Sequence, residues 1–134
     1  MSAGQGALAG LLAAFQTGDL AAATSFMAAD IVWHSPGIRQ PAAGSHRGPD
    51  GVLSAFGTIA AQPGTLSLEV VDVLRGHEHE SGVYLHRRHR AGADLAARIS
   101  LVARVAEGQL VEVWEHIYDL YAFDEFYGPQ GDTA

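Results

Sequence analysis

The sequence predicts an α+β domain in which three helices pack on one face of a curved, mostly antiparallel sheet. Apolar residues recur at helical spacing in the first part of the chain, and the pattern changes to the alternation of β-strands after Pro63-Gly64. All 134 residues fit one domain, because this length is close to the commonest domain size. We therefore expect a single domain over residues 1–134, ordered from about residue 5 to residue 127.

The first two helices are predicted to form a hairpin. The apolar residues of the first helix, among them Leu11 and Phe15, lie at the spacing of one helical face. Gly18 can end this helix as its C-cap, and Asp19 can begin the next one by accepting backbone N–H bonds. The apolar stripe of the second helix extends to Met27.

A short β-prone run and a polar loop precede the third helix. The run covers residues 31–33 and enters a Ser-Pro-Gly turn at residues 35–37, where proline disfavours helix and glycine permits a turn. The loop continues to Gly44. Pro49 then occupies a favoured first helical position, and Pro63-Gly64 ends the third helix.

Long strands are predicted for the rest of the chain. The first slips phase at Val71, which indicates a β-bulge. The others cover residues 83–90, 95–105 and 110 to about 118, and the tail over 120–127 is predicted to be a short helix or lid. A bulge increases the curvature of a sheet, and a curved sheet capped by helices encloses an interior.

The composition excludes several classes of site and partner. The chain has no cysteine, which excludes disulfides and thiolate sites. Its net charge is −7 and its eight cations are scattered arginines, so nucleic acid is not an expected partner. The apolar N-terminal stretch has no cationic start and is interrupted at residues 18 and 19. We therefore expect no signal peptide and no membrane partner, and a cytoplasmic location.

Four segments carry a resemblance to a known family: GDLAAATSFMAADIVWHSPG, GPDGVLSAF, LEVVDVL and RVAEGQLVEVWEHIYD. In this order they resemble the SnoaL-like polyketide cyclases of the nuclear transport factor 2-like superfamily, which includes ketosteroid isomerase-like proteins. The resemblance spans nearly the whole chain and implies a cone-shaped α+β barrel. That fold also hosts isomerases, dehydratases, epoxide hydrolases and binding domains, so it does not by itself select an activity.

The resemblance also bears on site residues. The carboxylate base of ketosteroid isomerase-like members falls at Ser35 or His34, so that mechanism does not carry over. Epoxide-hydrolase-like members place a tryptophan and, two residues on, an aspartate on the last strand, where this chain has Trp114 and His116. They place an asparagine at the position of His34. The resemblance therefore implies that Trp114, His116 and His34 face one pocket.

Histidine is a natural acid–base group for a site without a cofactor, because its pKa lies near neutral pH. His77 and His79 belong to a polar hairpin predicted over residues 75–82 and are explained by exposure to solvent. His86 and His89 lie on opposite faces of a strand, so at most one points inward. We favour His86, which shares a face with Tyr84; the alternative places both histidines on a solvated or dimer-facing surface.

Two further histidines lie around the polar loop. His34 ends the short strand and can serve either the pocket or a loop carbonyl at the edge of the core. His46 precedes the third helix and can either close the pocket or hydrogen-bond the loop.

The last strand presents two alternating faces. One carries Val111, Val113, Glu115 and Ile117, and the other carries Glu112, Trp114, His116 and Tyr118. Burial alone favours the first face as core and makes Glu115 an inward carboxyl with a raised pKa. We favour the second face, because the resemblance places Trp114 and His116 inside and cavity walls mix aromatic with polar groups.

These observations predict an acid–base enzyme without cofactor or metal, in which His34 and His116 act on an apolar small molecule and Glu115 is the alternative catalyst. The reaction would be a cyclisation, an isomerisation or an epoxide opening in secondary metabolism. The residues expected to bind the substrate are Trp33, Trp114, Tyr84, His86, His46, Phe15, Leu11 and Tyr118. The alternative is a non-catalytic dimeric ligand-binding or interaction domain with its histidines on the outer sheet face. We expect a homodimer through that face.

Overall fold

The computed structural model describes residues 6–128. Within this range the elements are α1 (Ala7–Thr17), α2 (Leu20–Ser25), β1 (Met27–Ser35), β2 (Gly44–Arg47), α3 (Gly48–Ala60), β3 (Thr65–Arg75), β4 (His79–Arg90), β5 (Ala93–Ala106), β6 (Gln109–Ile117) and α4 (Leu120–Tyr127). None of these helices is long and apolar enough to cross a membrane.

The strands form one sheet in the order β2-β1-β6-β5-β4-β3. Neighbouring strands are antiparallel except β1 and β6, which are parallel. In β5 the residues of one face, from Leu95 to Ala103, are all buried, whereas the alternate residues are exposed or half-buried. We call the buried side, against which the helices pack, the inner face and the opposite side the outer face. The α+β prediction is confirmed.

The first strand begins earlier than its sequence indicates. The second helix ends at Ser25 and Met27 belongs to β1, whereas the periodicity assigns Met27 to the helix. Met27 pairs with Leu110 of β6, and the Leu110 N–H donates to the Phe26 carbonyl over 2.8 Å. Pairing with a distant strand therefore overrides the local helical pattern.

A short edge strand also forms where the sequence indicates a loop. In β2, His46 lies opposite Trp33 of β1. The predicted bulge in β3 is confirmed, since the register with β4 shifts between Val70 and Asp72. The tail forms a helix, α4, whose N-cap Asp119 accepts the N–H of Ala122.

The start of β4 anchors the first helix to the sheet. Glu80 is buried, at 5% exposure, although it lies in the segment expected to be a polar hairpin. Its carboxylate accepts the N–H of Leu8 over 2.9 Å in the first turn of α1, and it lies 3.5 Å from Nε of Arg75. This contact satisfies a backbone donor that the helix itself cannot pair.

Candidate active site

A cavity of about 270 Å³ lies between the helices and the inner face of the sheet. Most of its wall is apolar, and its larger apolar side chains are Phe15, Leu20, Leu53, Phe56, Ile59, Leu66, Leu68 and Phe123. Its polar side chains are Ser35, Gln40, Tyr84, His86 and Glu115. An apolar wall with a few convergent polar groups is typical of a small-molecule site.

Glu115 reaches the cavity from the middle of β6. It lies opposite the fully buried Leu101 of β5, and Val113 and Ile117 on either side of it are buried. The indole Nε1–H of Trp33 donates to Glu115 Oε1 over 3.2 Å. The parallel pairing of β1 with β6 brings these two side chains together on the inner face.

A second polar side chain acts on the same carboxyl. Ser35 lines the cavity with Glu115 and lowers the pKa of that carboxyl, and Gln40 Nε2 donates to Ser35 Oγ over 3.0 Å. Because that bond leaves the hydroxyl proton of Ser35 unused, Ser35 can donate it to the carboxylate.

The pKa of Glu115 is raised above its ordinary value. Burial is the largest cause, and it outweighs the hydrogen bonds from Trp33 and Ser35 and the nearby charge of His46, which all lower the pKa. Glu115 therefore accepts a proton at a higher pH than a solvated glutamate, which suits a general acid–base group.

Tyr84 is buried and lines the cavity near this carboxyl. Burial raises the pKa of its phenol well above the ordinary value, and the charge of Glu115 raises it further. The phenol therefore stays protonated at neutral pH and offers the cavity a neutral O–H.

His86 also lines the cavity, on the same strand and face as Tyr84, which is the inward orientation favoured for it over His89. Its Nε2 lies 2.6 Å from Oη of Tyr127. Burial, together with the charge of Arg88, lowers the pKa of His86 to about 4. The imidazole is therefore neutral at pH 7. His89 lies on the outer face and pairs with Asp94.

The orientation favoured for β6 from the sequence, with Trp114 and His116 facing the pocket, is wrong. Trp114 and His116 lie opposite Val102 and Ser100 on the outer face, and His116 is exposed. Pairing with the buried face of β5 requires Glu115 to point inward, so its neighbours point outward. Tyr118 follows the strand and is 79% exposed.

His34 lies on the outer face with these residues. Its Nε2 is 2.6 Å from Oε2 of Glu112, and its ring stacks on Trp114. Because β1 alternates, the inward position of Trp33 turns His34 away from the cavity. The structure therefore brings His34 together with Trp114, as the resemblance implies, but outside the pocket.

The remaining predicted residues divide between wall and support. Phe15 lines the cavity, whereas Leu11 is fully buried in the core. Trp33, at 1% exposure, reaches the site through Glu115. His46 Nε2 hydrogen-bonds the Ala42 carbonyl over 2.7 Å, the loop contact considered as an alternative for it.

Sequence reasoning missed two polar residues that shape the site. Ser35 lines the cavity with Glu115. Gln40 donates to Ser35, and its amide also binds the Pro36 carbonyl and the Ala42 N–H. Both lie in a segment predicted to be a turn and a polar loop, where no periodic pattern marks an inward residue. Over residues 6–128, no group of three or more ligand-type side chains is placed to hold a metal.

Comparison with known sequences agrees with this architecture. The SnoaL-like domain model matches residues 8–113. An uncharacterized protein of Mycobacterium tuberculosis strain H37Rv is 36% identical over 117 residues, which are 86% of this chain and 88% of that protein.

Solved structures with the same fold cover most of the chain. Bal32a, from a soil-derived mobile gene cassette, is 29% identical with a TM-score of 0.83 and covers 90% of this chain and 93% of its own. A Xanthomonas campestris protein with a cystatin-like fold is 26% identical with a TM-score of 0.81, over 92% of this chain and 96% of its own.

An NTF2-like protein of Burkholderia pseudomallei is 17% identical with a TM-score of 0.77, over 90% of this chain and 94% of its own, a likeness in fold alone. The match of the domain model to most of the chain, together with the mycobacterial relative, establishes the family. The chain belongs to the SnoaL-like domain family and has the NTF2-like fold.

Proposed function

We propose that this protein is an acid–base enzyme that moves a proton on an apolar small molecule held in the cavity, with Glu115 as the group that carries the proton. One observation carries the proposal: among the described residues of the cavity wall, Glu115 is the one carboxyl group, and its pKa is raised. A carboxyl in an apolar site is a stronger base than one in water.

The chemistry follows from the charge state of the site. Ionised Glu115 takes a proton from a carbon next to a carbonyl group, and the electron pair of the C–H bond passes into an enolate. In an isomerisation, Glu115 returns the proton to another carbon. In a cyclisation, the enolate carbon forms a bond to a second carbonyl carbon, and the resulting alkoxide takes the proton. The phenol of Tyr84 is a neutral donor near this carboxyl.

The resemblance of the sequence to the SnoaL-like polyketide cyclases supports cyclisation or isomerisation, and a SnoaL-like domain spans residues 8–113. Epoxide opening is not part of the proposal. It depended on Trp114 and His116 facing the substrate, and both side chains lie on the outer face.

A non-catalytic ligand-binding domain is the second candidate. The outward positions of His34 and His116 favour it, since they leave the cavity without the two histidines expected to act there. The two candidates share the cavity and differ in whether Glu115 transfers a proton.

Deuterium exchange of a small bicyclic ketone, β-tetralone, separates the two candidates. The ketone is incubated with the protein in D₂O, and loss of the α-proton signal is followed by NMR. The acid–base proposal expects wild-type protein to accelerate the exchange and Glu115→Gln to abolish the acceleration while ketone binding persists. His116→Ala is the matched control and leaves the rate unchanged.

Binding without accelerated exchange supports the binding domain and overturns the enzyme. If wild type and Glu115→Gln accelerate the exchange equally, the proton transfer belongs to a group other than Glu115.

We also propose that a second copy of the chain covers the outer sheet face. The centre of the outer face is apolar and half-buried, and charges of both signs lie around it. Such a surface can be self-complementary, as the interface of a two-fold dimer must be. The central residues are Val83, Leu85, Val102 and Trp114, and the charged residues are Arg98, Arg104 and Glu112. Each copy can then place its arginines against the partner's carboxylate.

Light scattering tests the dimer. We expect twice the chain mass of 14.1 kDa for wild type and the single-chain mass for Val102→Glu. Ala21→Glu, on the exposed surface of α2, is the control and leaves the dimer intact. A single-chain mass for wild type at micromolar concentration would contradict the proposal.

A further inference from the structure

A buried cation lies behind the cavity wall. Arg88 is 2% exposed, and Nη2 donates to the Ile59 carbonyl over 2.6 Å while Nη1 donates to the Gln62 carbonyl over 2.9 Å. These carbonyls lie at the end of α3 and just beyond it, where the helix dipole is negative. The guanidinium is therefore stabilised by backbone oxygens, and its Nε–H donates to Oη of Tyr127 over 3.1 Å.

The direction of the next hydrogen bond follows from donors and acceptors. An arginine only donates, so Tyr127 Oη accepts from Arg88. Tyr127 is 2% exposed. Among the described residues, the acceptor within reach of its hydroxyl proton is His86 Nε2, 2.6 Å from Oη. If His86 Nε2 carried a proton instead, the Tyr127 hydroxyl proton would be buried without an acceptor, which is unfavourable. Tyr127 therefore donates and His86 Nε2 accepts.

This bond determines which nitrogen of the neutral imidazole carries the proton. With Nε2 accepting, the proton is on Nδ1. Among the described residues, no group hydrogen-bonds Nδ1 of His86. Every fully buried side-chain nitrogen and oxygen atom of the described residues has a hydrogen-bond partner, so Nδ1 is not fully buried. Since His86 is 5% exposed and lines the cavity, we infer that Nδ1 is accessible from the cavity.

We propose that the Nδ1–H of His86 is a fixed donor that binds an acceptor oxygen of the ligand, so that the cavity selects apolar compounds that carry an acceptor oxygen such as a ketone carbonyl. This proposal rests on the proposed function only in requiring a ligand in the cavity. Tyr127 and Arg88 are positioning residues, which act by orienting His86. An ammonium group offers no acceptor to Nδ1–H, so an amine of the same shape binds less well than the ketone.

Ring ¹⁵N NMR of histidine tests the proton position without a ligand. We expect wild-type His86 at pH 7 to show a protonated Nδ1 and an unprotonated Nε2. Tyr127→Phe removes the donor to Nε2 and is expected to give a mixture of the two tautomers. Tyr121→Phe, on the 90% exposed side chain of the same helix, is the control and leaves the spectrum unchanged. A protonated Nε2 in the wild type overturns the inference.

Binding of a matched pair of probes tests the ligand class. β-Tetralone carries an acceptor oxygen and tetralin does not. We expect wild type to prefer the ketone and Tyr127→Phe to lose about three- to tenfold of that preference, the effect of one hydrogen bond, while tetralin binds equally to both proteins. Equal affinity of wild type for the two probes overturns the ligand class. Neither outcome depends on proton transfer by Glu115, which the exchange assay tests separately.

Discussion

The indole Nε1–H of Trp33 donates to Oε1 of Glu115 over 3.2 Å, and this contact joins the core of the protein to the carboxyl of its cavity. Trp33 is 1% exposed and packs edge-on against Phe56, with ring centroids 4.8 Å apart. A rigidly packed donor therefore holds the carboxyl on which the proposed chemistry depends.

Replacement of Trp33 by Phe keeps an aromatic ring beside Phe56 and removes the donor. Because the Trp33 hydrogen bond lowers the pKa of Glu115, the variant is expected to raise that pKa further. The pH at half-maximal β-tetralone exchange then moves upward, since Glu115 loses its proton at a higher pH. We expect a loss of about 1–3 kcal/mol in the free energy of unfolding from the smaller ring.

Trp114→Phe is the matched control for this experiment. Trp114 lies on the outer face and does not contact Glu115, so the pH profile is expected to stay in place. A shift of equal size in both variants would contradict the specific role of Trp33.

Glu115→Gln is expected to stabilise the protein at neutral pH. The folded-state pKa of Glu115 is raised above the value of 4.5 taken for the unfolded chain, so the folded state binds the proton more tightly. Wild-type stability is therefore full below the unfolded pKa and falls as the pH rises through the folded pKa. In urea unfolding at pH 7, we expect the free energy of unfolding of the variant to exceed that of wild type by about 1 kcal/mol. This difference is expected to disappear below pH 4.5.

Glu112→Gln, on the outer face of the same strand, provides the contrast. It loses the pair with His34, so its stability at pH 7 is expected to fall by up to about 1 kcal/mol. A destabilised Glu115→Gln would show that the carboxylate is favourable to the fold and contradict the expected gain in stability.

Asp124→Asn is expected to loosen the loop over residues 38–40, whose Gln40 lines the cavity. The carboxylate of Asp124 accepts backbone N–H bonds from Ile38, Arg39 and Gln40, the shortest 2.7 Å. Burial raises the pKa of Asp124, but these bonds and the charge of Arg39 outweigh it, so the pKa is lowered below 3.8. We expect the variant to lose about 2–3 kcal/mol of unfolding free energy at pH 7.

The pH dependence of that loss checks its cause. Because the folded pKa is lowered, the contribution of Asp124 is present above 3.8 and disappears as the pH falls through the folded pKa. Urea unfolding should therefore give converging stabilities for wild type and Asp124→Asn in acid. The exposed neighbour Glu125→Gln is the control, and a loss independent of pH would contradict the account.

Glu80→Ala is expected to detach the first turn of α1 from the sheet. The variant leaves the Leu8 N–H without its carboxylate partner and is expected to cost about 1–2 kcal/mol. Amide hydrogen exchange at Leu8 should accelerate in the variant. Glu78→Ala, on an exposed side chain two residues away, is the control, and equal exchange at Leu8 in both variants would contradict the capping role.

Local patterns in the sequence determined the order of helices and strands apart from the edge strand β2, together with the bulge in β3 and the family. Each of these depends on residues close together in the chain: the caps at Gly18 and Asp19, the proline at the start of α3, and the phase slip at Val71. The same alternation puts His86 on one face of its strand with Tyr84, and the structure shows that this face lines the cavity.

Only the tertiary structure decided what faces the cavity. Period two separates Glu115 from Trp114 and His116 but does not say which set is inside, because the choice depends on how β6 pairs with the buried face of β5. The parallel pairing with β1 then places Trp33 beside Glu115. The burial pattern of β6 correctly predicted that Glu115 points inward. The alignment with family members predicted Trp114 and His116 inside instead and was wrong, because relatives can reuse one fold with different groups in its pocket.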